Sequence, residues 1–292
     1  MKFILCLLFL IPLSSSFSQD TLISYFDISW RQCHKDEAHF YRKAYKQSKK
    51  QWAVHDYFLN GQLQMSGYYT SKKFKTKTGK YTFYYKNSQI SYEGSYSKGK
   101  LVGEWNYWHE NGVLNKKSNY SEKGLLEGAY TEWYEDGMLD TQGQYLNDKM
   151  DGTWTFYFKN GQVSSVEIYS KGELVKVDFW ESDGRKVEGE LEVWLEPEFI
   201  GGEVALNAYI KEQVIYPQKA IDQNIFGTVY VQFVIEGDGS ISEVRTIKSV
   251  HPILDQEAIR VVTEMPNWNP GKIHNRPVNV RYNLPISFVI AK

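Results

Sequence analysis

The chain has 292 residues, enough for about two domains. Its formal net charge of −1 excludes the strongly basic surface that nucleic-acid binding requires. Aromatic residues make up 16% of the chain, including 22 Tyr and 9 Trp, and they fall at regular intervals rather than in one cluster. Such regularity predicts an internal repeat.

The N-terminus has the pattern of a secretory signal sequence. Lys2 precedes an apolar run from Phe3 to Leu13, and small residues lead up to Ser18, which predicts cleavage before Gln19. The apolar run spans 11 residues, whereas a membrane-spanning helix needs about 20. The sequence therefore predicts export and removal of residues 1–18, and retention of this segment as a membrane anchor is the alternative.

Residues 19–56 are interpreted as an N-terminal capping segment. Asp36 to Lys50 is a candidate short helix, and the modest excess of basic residues favours a solvated face over a patch for anionic lipid or glycan. Cys6 lies in the predicted signal, so Cys33 has no internal disulfide partner and is interpreted as a buried free thiol. The histidines and glutamate near Cys33 lack a second cluster at ligand spacing, so no metal site is predicted.

A unit of about 25 residues recurs between residues 57 and 187. Each copy has an aromatic segment followed by Asn-Gly or Asp-Gly, with Asn87-Ser88 in one copy, and the second turn residues lie at positions 61, 88, 112, 137, 161 and 184. These dipeptides favour type I′ turns, because both central residues of that turn need positive φ. The pattern predicts stacked β-hairpins that share an aromatic face, joined by looser turns such as Lys98 to Gly103.

This unit resembles MORN-type repeats, and more closely the variant found in YwqK-type antitoxins. The resemblance implies an antiparallel sheet used for binding or spacing, and an antitoxin role does not carry over to an exported chain. The aromatic stripe is interpreted as the core of the sheet rather than a platform for sugars or peptides. Carboxylates that recur with the repeat are interpreted as a solvated strand face rather than paired catalytic groups.

An acidic linker, residues 188–196, precedes a non-repeating region at 197–292. Glu203 to Val214 has helical spacing, and Gly227 to Ile235 and Ile241 to Ile247 alternate as the two strands of a hairpin. The predicted order begins helix, strand, strand.

A second helix and a third strand complete this region. Ser249 is a candidate helix cap, with Pro252 in the first turn. Val278 to Ile290 alternates as a strand, and Pro285 inside it favours an edge position because proline cannot donate to a central ladder.

Motifs in this region occur in a characteristic order: Tyr216-Pro217, Gly227-Thr228-Val229, Asp238-Gly239, Asp255-Gln256-Glu257-Ala258, Met265-Pro266, Trp268, Pro270-Gly271, Pro277-Val278 and Leu284-Pro285-Ile286. With these motifs the last third of the chain resembles the C-terminal domain of TonB-type energy transducers. The resemblance implies a domain in the periplasm of a Gram-negative-type envelope. It also implies that this domain binds the TonB box of a TonB-dependent outer-membrane receptor as an added strand.

The resemblance also implies which residues contact the partner: Tyr216, Pro217, Arg281, Tyr282, Asn283 and Leu284. The segment before Tyr216 departs from the glutamine- and proline-containing pattern of the family, so partner selectivity is not carried over. Inner-membrane motor proteins, peptidoglycan and a second copy of the chain in a homodimer are further candidate partners. A nucleic-acid partner and a cofactor are not expected.

No catalytic residue is predicted. The chain contains neither a Gly-x-Ser-x-Gly nucleophile motif nor a phosphate-binding glycine loop, and His251 with Asp255 is more typical of a helix-capping pair than of acid–base chemistry.

The predicted fold is mainly β: an elongated antiparallel β-hairpin repeat array followed by a small α+β domain. The predicted function is a TonB-like protein that binds receptors by strand addition and contributes to energy-coupled transmembrane transport. The alternative is a non-enzymatic envelope scaffold, or a repeat protein that binds peptidoglycan or proteins.

Overall fold

The structure is a computed structural model that describes residues 21–189 and 192–290. The predicted signal sequence, residues 1–18, lies outside the described residues.

Strands dominate the first range. Within residues 21–189 thirteen strands form a sheet in chain order. They are β1 (Leu22–Phe26), β2 (Phe40–Ser48), β3 (Gln51–Phe58), β4 (Leu63–Tyr69), β5 (Lys77–Tyr84), β6 (Ile90–Ser97), β7 (Lys100–Trp108), β8 (Leu114–Tyr120), β9 (Leu126–Trp133), β10 (Leu139–Leu146), β11 (Lys149–Tyr157), β12 (Val163–Ser170) and β13 (Glu173–Phe179). The predicted hairpin array is confirmed.

The chain divides into two compact units. One runs up to Gly137 and also includes Tyr145–Asp148, and the other comprises Met138–Gln144 and everything from Lys149 onward. The last strands of the sheet and the C-terminal region therefore belong to the same unit.

The predicted helix between Asp36 and Lys50 is wrong. Only Lys35–Glu37 forms a short 3-10 turn, and β2 follows it, paired with β1 on one side and β3 on the other. Alternating side chains account for the strand: Ala44 is buried against Val54, whereas Lys43 lies on the opposite face.

The repeats contain two kinds of turn, and the type I′ turn lies at the other one from that predicted. At Asn60-Gly61 only the glycine has positive φ, and the N–H of Gly61 donates to the Phe58 carbonyl (2.9 Å), which is a type I turn followed by a glycine bulge. The Asn60 side chain accepts the N–H of Gln62 and so stabilises this turn. The type I′ turn occurs instead at Lys98-Gly99, where both residues have positive φ.

Small glycines make room for large rings in this sheet. Tyr81, Trp105 and Trp154 are almost completely buried, and each ring lies over a glycine of the preceding strand: Gly67, Gly94 and Gly143. A Cβ atom on any of these glycines would lie 2.2–2.3 Å from the ring. These aromatic residues therefore form part of the core of the sheet, as the sequence predicts.

The C-terminal region contains the predicted α+β domain. Its elements are β14 (Trp194–Leu195), α1 (Gly202–Gln213), α2 (Gln218–Asp222), β15 (Gly227–Ile235), β16 (Ile241–Lys248), α3 (Pro252–Thr263), β17 (Gly271–Ile273), β18 (Arg276–Val278) and β19 (Val280–Phe288). One sheet has the order β16-β15-β19 and a smaller one the order β14-β17-β18. Helix α3 packs its buried Leu254, Ala258 and Val261 against the larger sheet.

Three details of this domain differ from the prediction. The third strand is divided into β18 and β19, and the short elements α2, β14 and β17 have too few residues to give a periodic signal. The cap of α3 is His251, whose Nδ1 accepts the N–H of Ile253 at 3.2 Å. Ser249 instead donates its hydroxyl to Asp255 at 2.5 Å.

The hairpin of β17 and β18 contacts the last strands of the repeat sheet. His274 and Asn275 form its tip, both with positive φ, and the Asn275 amide donates to the Trp180 carbonyl at 2.8 Å. The His274 ring stacks on Phe156 with centroids 3.5 Å apart, and its Nδ1 lies 2.6 Å from a carboxylate oxygen of Glu167. These contacts fix the hairpin within the second unit.

Glu167 is fully buried at this contact. Besides His274, the hydroxyls of Ser165 and Tyr169 donate to its carboxylate at 2.8 and 2.6 Å. Burial by itself raises the pKa of Glu167, but these hydrogen bonds outweigh it, and the pKa is lowered from its ordinary value of 4.5. The carboxylate is therefore charged at neutral pH.

No helix within the described residues combines the length and the apolar character that crossing a bilayer requires.

Candidate functional site

Strand β19 lies at the edge of the β16-β15-β19 sheet, as Pro285 in the sequence predicts. Its nine residues pair with β15 in an unbroken antiparallel register, from Val280 opposite Ile235 to Phe288 opposite Gly227. Within the described residues no strand pairs with the other side of β19. This side offers backbone donors and acceptors to an incoming strand.

The outer face of the strand is polar. Arg281 forms an ion pair with Glu243 of β16 at 3.1 Å, and Asn283 accepts a hydrogen bond from Gln232 of β15 at 2.9 Å. Both partners of the ion pair are well exposed, so the pair contributes little to stability. The side chains of Arg281 and Asn283 are accessible along one face of the sheet.

The inner face holds the other two predicted residues of this strand. Tyr282 packs on Trp268 with ring centroids 5.1 Å apart, and Leu284 is buried in the domain core. Their side chains are therefore occupied by the fold, and only their backbone groups lie at the edge.

Tyr216 and Pro217 lie near the opposite end of β19. The Tyr216 ring meets Phe288 at 5.6 Å between centroids, its hydroxyl donates to the Ile225 carbonyl at 2.8 Å, and Pro217 caps α2. Arg281 and Phe288 are separated by seven residues, which is about 23 Å along a strand. The six predicted residues therefore form two groups rather than one pocket.

A groove joins the Tyr216 group to the end of the edge strand. It has a volume of about 680 Å³ and is lined by α1 and by the last part of β19, including Asn207, Ile210 and Lys211 on the helix and Pro285, Ser287 and Phe288 on the strand. A groove of this size next to a free edge can accept the side chain of a bound peptide.

Exposed apolar residues surround the same end of the sheet. Ile215, Phe226 and Val289 are 67%, 60% and 76% exposed. The last pair between β15 and β19 is Gly227 with Phe288, and Phe226 and Val289 are the residues next to this pair, just beyond the paired strands. Clusters of exposed apolar residues mark binding surfaces. These residues and the α1 side of the groove belong to no motif in the sequence, so they were not predicted as site residues.

Helix α3 fixes the segment that carries Tyr216. Glu257 accepts the N–H of Ile215 at 2.7 Å, and Arg260 bridges Glu257 and the Gln213 carbonyl, each at 2.7 Å. Burial raises the pKa of Glu257, but the hydrogen bonds from Arg260 and Ile215 outweigh it and the net pKa is lowered. A charged Glu257 thus holds one wall of the groove against α3.

The other chemical candidates do not converge. His251 caps α3 through Nδ1, while Asp255 accepts hydrogen bonds from Ser249 and from the Val250 N–H. Cys33 is half-buried and free, and burial raises the pKa of its thiol. Across residues 21–189 and 192–290 no group of three or more His, Cys, Asp or Glu side chains is placed to hold a metal ion.

Two family models match the chain. Residues 212–290 match the C-terminal domain of the Gram-negative bacterial TonB protein, and this match includes Tyr216, the β15–β16 hairpin, α3 and the edge strand β19. The chain carries a TonB-type C-terminal domain. A MORN repeat variant matches residues 77–98, 101–122, 126–147 and 150–171, so MORN-type repeats precede this domain. Both families are of a non-catalytic kind, and the TonB family suggests a location in the cell envelope.

Among solved structures, the chain is similar to the NMR solution structure of the TonB C-terminal domain from Helicobacter pylori. The identity is 23%, the similarity covers 30% of this chain and 80% of that one, and the TM-score is 0.25. No curated protein matches the chain.

Proposed function

We propose that this TonB-like chain binds the TonB box of an outer-membrane receptor as a strand added to β19, and that it acts in energy-coupled transport in the periplasm after export. The observation that carries the proposal is the free edge of β19, which lies inside the segment that matches the TonB model. Backbone hydrogen bonds would supply the affinity, and the groove beside Tyr216 would select side chains of the receptor segment.

The position of Pro285 indicates which backbone groups are available. The register with β15 runs past Pro285 without a break, so the missing N–H of this proline belongs to the free side of the strand. The backbone N–H groups of successive residues point to opposite edges of a strand. The N–H groups of Arg281, Asn283 and Ser287 therefore face the same free side as Pro285. Arg281 and Asn283 thus contribute donors, and Tyr282 and Leu284 hold the strand on the core.

The experiment compares two substitutions at one position in binding assays with a synthetic TonB-box peptide. Arg281→Pro removes the edge N–H, and we expect it to weaken binding tenfold or more, whereas Arg281→Ala keeps the N–H and costs less than about threefold. Near-UV circular dichroism checks that both variants retain the packing of Trp268. Equal losses in the two variants would contradict strand addition.

A complementary experiment leaves the protein unchanged. Two versions of the peptide are N-methylated at every second residue, one at the odd positions and the other at the even positions. Each version therefore lacks the backbone N–H donors along one edge of the extended peptide only. Strand addition predicts that one version loses binding and the other retains most of it. If the two bind alike, recognition rests on side chains.

A second candidate function is a non-enzymatic envelope scaffold in which the repeats bind a polymer or an exported protein. The observation that favours it is a row of half-exposed stacked rings, Phe83, Tyr92 and Tyr107, across three neighbouring repeat strands. If the full chain binds the TonB-box peptide and the Arg281→Pro variant does not, the receptor function is supported over the scaffold function.

A further inference from the structure

A cavity opens on the first strands of the repeat sheet, outside the TonB-type domain. It has a volume of about 300 Å³, and strands β2 to β6 line it together with Trp30. This volume is at the lower end of the range for small-molecule sites, so it suits one ring-sized group rather than a long chain.

The floor of the cavity carries an ion pair that is already satisfied. Arg42 donates to both carboxylate oxygens of Asp56 at 2.7 and 2.8 Å, and Asp56 is only 2% exposed. The Arg42 guanidinium also lies 5.3–5.5 Å from the ring centres of Phe26, Tyr69 and Phe74. Arg42 and Asp56 are therefore structural and neutralise each other.

Lys77 is a half-buried cation at the same cavity without a counter-ion. No carboxylate of the described residues lies within ion-pair distance of its ammonium group, which sits 4.7 Å from the ring centre of Tyr96 and 5.5 Å from that of Phe83. Its hydrogen-bond partner, the Tyr96 hydroxyl at 3.5 Å, is neutral, since burial raises the pKa of Tyr96 to about 12.

Burial, followed by the charge of Arg42, lowers the pKa of Lys77, and the nearby Asp56 carboxylate opposes this shift only in part. A bound anion at this point would supply the missing charge and form a charge-assisted hydrogen bond. Phosphate, carboxylate and sulfate share this charge, so the remaining walls decide the class of ligand.

Aromatic walls and an unused amide define the rest of the site. Trp30 stacks on Phe40 at 4.7 Å between centroids, Phe83 stacks on Tyr92 at 4.2 Å, and Trp30, Phe83 and Tyr92 line the cavity. Gln64 lines the cavity, and its side chain has no hydrogen-bond partner within the described residues. Aromatic walls accept the C–H surface of a sugar ring, while an amide binds its hydroxyls.

We propose that this cavity binds a carboxylated sugar ring of an envelope glycan. Its walls are Trp30, Phe83 and Tyr92, and it carries Gln64 and Lys77, which has no carboxylate partner among the described residues. The carboxylate pairs with Lys77, the ring rests against the aromatic walls, and Gln64 meets a ring hydroxyl. The site goes beyond receptor binding, because none of its residues lies in the TonB-type domain.

The test titrates the full chain by calorimetry with N-acetylmuramic acid and glucuronic acid, and with their neutral counterparts N-acetylglucosamine and glucose. We expect at least one acidic sugar to bind at least tenfold more tightly than its neutral counterpart, and this preference to weaken as salt rises. Equal binding of acidic and neutral sugars would overturn the proposal, as would the absence of saturable binding.

A matched pair of variants locates the effect. Lys77→Met removes the charge while keeping an apolar chain between the rings, and it should abolish the preference for the acidic sugar. Lys80→Met is the control, because Lys80 lies on the same strand but is exposed and paired with Glu93 at 2.9 Å. Unchanged acid preference in Lys77→Met would rule out this site.

Two further probes distinguish other sources of an anion. Vesicles of phosphatidylglycerol in phosphatidylcholine and a short acidic peptide are titrated under the same conditions. If either binds through Lys77 more tightly than the acidic sugars, the cavity serves a lipid or a peptide and the proposal fails. Weak binding of both, with tight binding of an acidic sugar, supports it.

Discussion

Single glycines determine how the repeat sheet accommodates its large rings. Gly94 illustrates the requirement, because a Cβ at this position would lie 2.2–2.5 Å from three atoms of the Trp105 ring. Its φ is not positive, so the need for glycine here is steric and not conformational. The aromatic residue and the glycine are two halves of one packing unit.

We therefore expect Gly94→Ala to destabilise the repeat unit by about 1–3 kcal/mol, the usual cost of overpacking a rigid core. Gly237→Ala is the control, because its added Cβ would lie 3.5 Å from the nearest atom, the Cβ of Pro277, which is an ordinary van der Waals contact. The φ of Gly237 is also not positive. The free energy of unfolding from urea titration is the measurement. In a Trp105→Leu background the Gly94→Ala penalty should shrink, and a constant penalty would contradict direct contact.

Glu167 is the residue through which acid should loosen the second unit. Its folded-state pKa lies below the ordinary value of 4.5, so its contribution to stability is present above about pH 4.5 and is lost as the pH falls through the folded pKa. We expect Glu167→Gln to lower stability at pH 7 by about 1–3 kcal/mol and to flatten the pH dependence below pH 5. Melting temperatures measured between pH 3 and 7 test this. A pH profile parallel to that of the unchanged protein would assign the acid sensitivity to other carboxylates.

At the scale of elements, the tip of the β17–β18 hairpin adds to the hold that Arg276 has on Asp140. The tip residues His274 and Asn275 adopt the backbone of a type I′ turn and also contact Glu167, Phe156 and Trp180. Turn geometry and contact can be separated, because glycine accepts positive φ without supplying a side chain.

Replacing both tip residues by glycine should keep the hairpin but release it from the repeat strands. We expect hydrogen exchange of residues 271–278 to accelerate about tenfold or more, with little change in β15 and β19. His274→Ala with Asn275→Ala adds backbone strain, and comparing the two double variants isolates that strain. Unaltered exchange in the glycine variant would show that β14 pairing and the contact of Arg276 with Asp140 suffice to fix the hairpin.

The sequence predicted well those long strands in which apolar side chains alternate with other residues and are buried on one face. Val229, Val231, Phe233 and Ile235 are all buried in β15, as the period-two pattern predicts. The helix prediction after Asp36 was wrong because the basic residues around Ala44 make the alternation of apolar and polar side chains hard to recognise. Burial of Ala44 depends on strands that pair with it from both sides, which local pattern does not encode.

The candidate site was predicted less completely than the fold. Arg281 and Asn283 were predicted as contacts because they lie near the middle of the expected edge strand. Strand β19 is an edge strand as Pro285 implies, but the distance between Arg281 and Tyr216 could not be read from sequence. The groove residues of α1 and the contact of His274 with Glu167 arise from elements far apart in the chain. Glu167 resembles the other repeat carboxylates in sequence, and only tertiary packing distinguishes it.

For the molecule as a whole, the two compact units do not coincide with the boundary between repeats and TonB-type domain. The second unit includes strands β11 to β13 together with the C-terminal region. A fragment that starts at Pro197 therefore loses β14, the Glu167 contact and the bridge between Arg276 and Asp140.

We expect a fragment of residues 138–292 to melt at least about 5 °C higher than a fragment of residues 197–292, because one lost kcal/mol lowers the melting temperature of a domain of this size by about 4–8 °C. Scanning calorimetry of both fragments, alongside the full chain, provides the comparison. Identical melting temperatures would indicate that the repeat strands do not support the TonB-type domain.

The pairing of three buried rings with a glycine one strand earlier also limits how the number of repeats can change. Tyr81 with Gly67, Trp105 with Gly94 and Trp154 with Gly143 each complete their packing within neighbouring strands. Each ring therefore depends on the hairpin copy before its own, and β8 has Ser118 at the position that Gly94 takes in β6. A change in copy number keeps this packing only where the strand before each large ring still carries a glycine.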